Sequence, residues 1–133
     1  MANITITNVD TGNVILENCR FDDGVLTFAG AATAKAGTIL ARDSVSKKFV
    51  LFVKGGTTNE NGIPKAVLTY DVTATGAGDV SIRAAVEGNL RKERLVIHAD
   101  GNATNVDAVV LDQLRDYGLT ALSVKELGIL DNQ

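Results

Sequence analysis

The chain has 133 residues with a formal net charge of −3, and its 45% hydrophobic and 22% charged residues exclude a disordered chain. A single domain of this length buries about two-thirds of its unfolded surface, and with four Phe, two Tyr and no Trp its core must be built mainly from Val, Ile, Leu and Ala. The whole charge imbalance lies before residue 35, where Asp10, Glu17, Asp22 and Asp23 face only Arg20.

The opening Asn3-Ile-Thr-Ile-Thr-Asn8 alternates, Ile4 and Ile6 to one side and Thr5 and Thr7 to the other, which is the period of a half-buried strand. Asp10-Thr-Gly12 marks a turn. Residues 13–20 and 24–30 read as two strands joined at Phe21-Asp-Asp-Gly24, where Asp-Gly favours a tight hairpin. The small-residue stretch 29–37 reads as a flexible linker. Residues 38–41 and 48–53 are strands around a turn-rich connection, 55–62 is a polar loop, and 66–72 alternates as a further strand. Gly76-Ala-Gly78 turns the chain into strands at 80–86 and 95–99. One helix is predicted at about 106–117, with Thr104 as its N-cap, Val106, Val109, Val110, Leu114 and Tyr117 at helical spacing, and Gly118 just past its end. A strand at 119–124 closes the pattern. The fold class is mainly β (α+β): about eight strands, one helix, and an N-terminal strand region ahead of a compact body.

Reactive groups are scarce. The nearest thing to a basic stripe, Arg91-Lys-Glu-Arg94, is interrupted by Glu93, so nucleic acid is not an expected partner. The longest strongly apolar run, 49–53, falls far short of the roughly 20 residues a membrane helix needs, so no membrane partner is expected either. The N-terminus lacks a charged n-region and an apolar h-region, so no secretory leader is read there, and the sequons at Asn3 and Asn102 are discounted. Cys19 is the only cysteine and reads as a small, partly buried strand residue. His98, the only histidine, reads as half-exposed on a strand; Asp100 lies nearby, but no G-x-S-x-G elbow supports a triad. Ser44-Val-Ser-Lys47 matches S-x-x-K without its partner motifs, and Gly76-Ala-Gly78 lacks the third glycine of a dinucleotide fingerprint. One His and one Cys do not make a zinc site, and Asp22-Asp23 lacks the spacing of a calcium loop. No enzyme, metal or cofactor is expected.

An unblunted N-terminal strand either pairs within its own subunit or adds to the edge of a partner's sheet. Six backbone pairs give at best about 1 kcal/mol net each against an ordering cost of about 1–2 kcal/mol per residue, so one such arm binds weakly by itself. Several arms on one oligomer gain avidity of roughly 10²–10⁴.

The run Thr33-Ala-Lys-Ala-Gly-Thr-Ile-Leu-Ala-Arg-Asp43, the Lys48-Phe-Val strand, and Gly62-Ile-Pro-Lys-Ala-Val-Leu68 before Tyr70-Asp-Val72 resemble the head-decoration protein family of bacteriophage lambda. Residues 79–86, Gly88 and 114–124 follow the same order, so the resemblance covers roughly 33–124. It implies a homotrimer on the outer surface of the virion, at threefold and quasi-threefold positions of the expanded capsid. There it would cement the major capsid protein against the pressure of packaged DNA, after synthesis in the host cytoplasm. It implies structural turn roles for Gly37, Asp43, Gly62, Pro64 and Asp71, and a capsid-binding role for Asn3, Ile4, Thr5, Ile6, Thr7 and Asn8. The domain reading is then residues 1–32 as a capsid-binding arm with a β-hairpin and 33–133 as the β-rich body. The arm departs from the lambda pattern in being strand-rich where lambda's is Pro-rich. The alternative is a monomeric β-rich virion accessory module that binds a receptor or carbohydrate; the lack of Trp for sugar stacking counts against the carbohydrate.

Overall fold

A computed structural model describes residues 14–122. Its elements in chain order are strands β1 (Ile15–Phe28), β2 (Ala32–Ala34), β3 (Ile39–Arg42), β4 (Phe49–Leu51), β5 (Ala66–Leu68), β6 (Val72–Ala74) and β7 (Gly78–Arg91), a 3₁₀ turn (Lys92–Arg94), helix α1 (Ala108–Asp116), and strand β8 (Leu119–Leu122). The strands order as β1-β4-β3-β5-β7, and β7 pairs back onto β1, closing a small five-stranded barrel. β8 joins β7 in parallel, and β2 pairs with β6 as a separate ribbon. The mainly β reading with one helix in the C-terminal half holds.

The central strands are buried on both faces. Ile39, Val67 and Ala85 stand in register and belong to one core; Leu40, Ala66, Leu68 and Ala84 belong to the other. The second core fills the barrel around Leu26, Phe28, Phe49 and Ile82, closed off by Ala34, Val72 and Ala74 of the β2–β6 ribbon. The first lies between the sheet and α1, where Val110 and Leu114 meet Phe52, Leu90, Leu95 and Ile97. Doubly buried strands read as continuous apolar runs, which is why Ile39-Leu40-Ala41 and Ala66-Val67-Leu68 carry no alternation.

Several local expectations give way to tertiary pairing. The hairpin expected at Phe21–Gly24 is absent: β1 runs straight through, with Asp22 opposite Ala84, Asp23 opposite Arg83 and Gly24 opposite Ile82. A turn preference is worth on the order of 1 kcal/mol, whereas burying Leu26 and Phe28 contributes about 1.5–3 kcal/mol each, so the long register wins. Gly24 serves close packing instead, since a Cβ there would lie 2.8 Å from the buried Phe49 ring. The linker expected at 29–37 contains β2, and its small residues let the β2–β6 ribbon sit against the core, with Ala34 fully buried. The strand expected at 66–72 breaks into β5 and β6 at a corner bearing exposed Tyr70 and Asp71. The strand expected at 95–99 forms only isolated bridges, Thr38 to Val96 and Ile97 to Asn102, although Leu95 and Ile97 are buried. The N-cap of α1 is Asp107, not Thr104: its carboxylate accepts from the Val110 N–H at 3.2 Å and from Lys54 Nζ at 2.6 Å. Gly118, at φ +92°, follows the helix as expected.

Gly37 is the backbone position most sensitive to substitution. Its φ is +95°, and a Cβ would come within 1.8 Å of the Arg94 carbonyl oxygen. Gly37→Ala is expected to lower the unfolding free energy in urea by about 3 kcal/mol, through strain and a forced backbone shift. Gly76→Ala, where nothing lies within 4 Å, should change it by less than about 0.5 kcal/mol. Equal effects at the two positions would refute this packing.

Acid sensitivity follows from three carboxyls held below their ordinary range. Asp79 is lowered by hydrogen bonds from Lys48 and then Thr27, Asp107 by Lys54 and then the Val110 N–H, and Asp43 by the N–H groups of Ser46 and Val45. A depressed folded pKa adds stability that is present above the unfolded value near 3.9 and lost as pH falls through the folded one. The melting temperature should therefore be level at neutral and mildly acidic pH and drop below about pH 4. The Asp79→Asn/Asp107→Asn variant should drop less steeply over that acid range, and an identical slope would refute the assignment. Asp79 and Asp107 are solvent-exposed and Asp43 is partly so, so each effect is small.

Candidate functional site

The motif residues lie in the connections between strands. The Gly37 N–H donates to the Leu68 carbonyl at 2.7 Å while its own carbonyl accepts from Val96 at 2.8 Å, locking the entry to β3 between two neighbours. Asp71 meets the same corner, its carboxylate accepting from the Ala36 N–H at 2.7 Å. Asp43 closes the β3–β4 connection by accepting from Val45 and Ser46 at 2.8 and 2.9 Å, and Asn59 reaches it from the polar loop at 3.4 Å. In that loop Gly62 lies against the backbone of Gly56, and Pro64 is buried just before β5. The structure thus brings Gly37 and Asp71 together, and places Asp43, Gly62 and Pro64 around the polar loop. Each shapes backbone; none presents a reactive group.

Asn3, Ile4, Thr5, Ile6, Thr7 and Asn8 lie outside the described residues, but the place from which they depart is defined. Val14 is buried, and its carbonyl accepts from the Arg91 N–H at 2.7 Å. Ile15 stands opposite Leu90 on one edge of β7, and Leu122 stands opposite Arg91 on the other. Both ends of the described chain therefore leave from one end of the β1–β7–β8 sheet. The exposed Lys92, Glu93 and Arg94 turn follows β7 at that end.

The candidates for chemistry stay apart. His98 is half-buried, and among the described residues its ring has no hydrogen-bond partner. Cys19 is partly buried in β1 and hydrogen-bonded to the Asn89 carbonyl at 3.4 Å; burial pushes its thiol pKa up, away from the reactive thiolate. Ser44 and Lys47 sit in the β3–β4 turn, where their N–H groups bond the carbonyls of Asn59 and Asp43. Among the described residues no three His, Cys, Asp or Glu side chains are grouped to hold a metal ion, and no helix is long and apolar enough to cross a membrane.

One surface feature escaped sequence reasoning. Three of the four Phe are buried, but Phe21, Tyr70 and Tyr117 are 38–45% exposed. Phe21 and Tyr70 flank Arg83: the guanidinium lies 5.3 Å from the Phe21 ring centre, and the Tyr70 hydroxyl accepts from the Arg83 N–H at 3.0 Å. Tyr70 and Arg83 line an open groove of about 510 Å³ together with Asp23, Val25 and Ser81. The available signal was a conflict, an Asp-Asp-Gly turn motif that turns out to lie inside a strand.

Comparison with known proteins places the chain. It is 31% identical over 103 residues to ATP-dependent Clp protease proteolytic subunits of Bacteroides fragilis and Bacteroides thetaiotaomicron, over 74% of this chain and 50% and 47% of those proteins, respectively. The chain thus spans about half the length of the curated relatives it matches. A second match covers residues 4–119 and is to the bacteriophage lambda head decoration protein D family. It extends well ahead of the block that carried the sequence resemblance and takes in β1 and all of the barrel. On that extent the chain belongs to the bacteriophage lambda head decoration protein D family, a structural, non-enzymatic group that decorates and stabilises the phage capsid.

Proposed function

We propose that this protein cements an expanded phage head as a homotrimer at threefold and quasi-threefold positions, with residues 3–8 of each copy pairing as an added strand with the major capsid protein. The observation that carries the reading is the family match beginning at residue 4, which includes the strand-patterned segment. The geometry is compatible with it: the segment departs beside Arg91, from the same end of the sheet as Leu122, so one end of the molecule would face the shell. The barrel is the rigid part, with both cores fully packed.

The energetics favour several arms acting together. A six-residue strand offers at most about 1 kcal/mol net per backbone pair and costs about 1–2 kcal/mol per residue to order, so Ile4 and Ile6 must find apolar pockets. Three arms on one body raise the apparent affinity by roughly 10²–10⁴. Such a cement would be made in the host cytoplasm and end on the virion surface, where tying neighbouring capsid subunits together opposes the pressure of packaged DNA.

Co-sedimentation with empty capsids of the cognate phage tests this reading. The full chain should pellet with expanded shells and stay in the supernatant with unexpanded ones. A chain lacking residues 1–8 should remain folded and fail to pellet, and Ile4→Asp should weaken attachment more than Thr5→Asp. Retained attachment without residues 1–8 would remove the arm from the mechanism. Equal binding to both shell forms would refute dependence on expansion.

A further inference from the structure

The cations of this chain divide by place. Along the barrel and its loops, Arg20, Lys48, Lys54, Lys65 and Arg83 each pair with a carboxylate at 2.6–3.9 Å. At the corner where β1 begins, Lys35, Lys92 and Arg94 are exposed and have no ion-pair partner among the described residues.

One knot of backbone gathers these three. The Arg91 N–H donates to the Val14 carbonyl at 2.7 Å, and the Lys92–Arg94 turn follows at once. The Arg94 carbonyl lies against Gly37, where a Cβ would collide with it, and the Val14 Cγ2 would stand 3.6 Å from that same Cβ. Lys35 comes two residues before Gly37, its carbonyl accepting from the N–H and hydroxyl of Thr38 at 3.0 and 2.6 Å. The acids at this corner are Glu93 and Asp71, and Asp71 already accepts from the Ala36 N–H at 2.7 Å. With Arg91 counted, the corner carries four cations against two carboxylates and is net positive.

The thirteen residues ahead of Val14 contain one acidic side chain, Asp10. Three residues separate it from Val14, a span of at most about 14 Å, and Asp10-Thr-Gly12 is a turn signal that bends the chain back toward its anchor. We infer that Asp10 docks on the Lys35–Arg94 corner and holds the root of the capsid-binding segment. The role in attachment rests on the arm reading above; the docking itself does not. A rooted segment leaves the body in a set direction and has less freedom to lose on binding. The segment after Leu122 also carries an acid, Glu126, but fits less well. Val14 is buried against the corner itself, whereas Leu122 is exposed and stands across from Arg91 on β8, about 5 Å further out.

Amide hydrogen exchange on the free full-length chain at low salt tests the docking. Residues 11–13 should exchange about two- to fivefold faster in Asp10→Lys than in wild type, the range an exposed ion pair supplies. The pair Lys35→Glu/Arg94→Glu should do the same, and the triple variant Asp10→Lys/Lys35→Glu/Arg94→Glu should restore wild-type rates. Glu126→Lys and Lys47→Glu, the latter on the β3–β4 turn, should change nothing. About 1 M salt should bring wild type to the rate of Asp10→Lys. On expanded shells, both charge-reversed forms should attach more weakly and the triple variant should recover, which a loss of folding would not produce. Equal exchange in wild type and Asp10→Lys, no recovery in the triple variant, or an effect of Glu126→Lys instead overturns the docking. Faster exchange with undiminished attachment overturns its role in attachment. Wild type that fails to pellet with shells overturns the arm reading, and the exchange rates still decide the docking.

Discussion

The fold depends on the sharing of one strand. β7 carries β1 along its whole length on one edge, and on the other edge it carries β5 at Ala84 and Ala85 and then β8 at residues 88–91. It also belongs to both cores, since Ile82 and Ala84 face the barrel interior while Ala85 and Leu90 face the layer under α1. Without β7 the barrel would not close and β8 would have no partner. Because two cores and three strands meet on it, a change in its register would move apolar side chains out of both cores at once.

That constraint sets where the molecule can be active. The β7 end at Arg91 gathers both ends of the described chain, and its other end, beside Tyr70 and Arg83, carries no second strand partner among the described residues. A filled barrel has little freedom to reshape itself around a partner. On the reading proposed above, binding would use the segment ahead of β1 and leave the barrel unchanged. Tying capsid subunits together requires a body that does not yield and contacts that are repeated, and this architecture supplies the first. The scarcity of reactive groups fits a protein whose work is mechanical.

Much of this was legible in the sequence. The strands at 38–41 and 48–53, the polar loop, the helix and its closing glycine all follow from apolar runs and turn residues, and the structure retains them with small boundary shifts. Cys19 and His98 were read as partly buried, non-catalytic side chains, and they are partly buried. The failures share one cause: a local preference of about 1 kcal/mol was overridden by long-range pairing. Asp22-Asp23-Gly24 prefers a turn but lies in β1 because β7 holds the residues around it. Residues 66–72 read as one strand, yet the chain bends at Tyr70 and Asp71, where the side chains bond Arg83 and Ala36, contacts across the fold that no local pattern encodes. Thr104 had the right chemistry for an N-cap, but Asp107 has Lys54 as a neighbour, contributed from far along the chain. The groove at Tyr70 and Arg83 was hidden because an exposed aromatic and a buried one look alike in sequence.

The central claim is that a rigid barrel delivers its N-terminal segment to the capsid without reshaping itself. Hydrogen–deuterium exchange on the free protein and on decorated expanded shells measures this directly. The account predicts new protection in residues 3–8 on the shell, with the amides of Ala84 and Ala85 equally slow in both states. Unchanged exchange in residues 3–8, or exchange at Ala84 and Ala85 that differs between the two states, would contradict it.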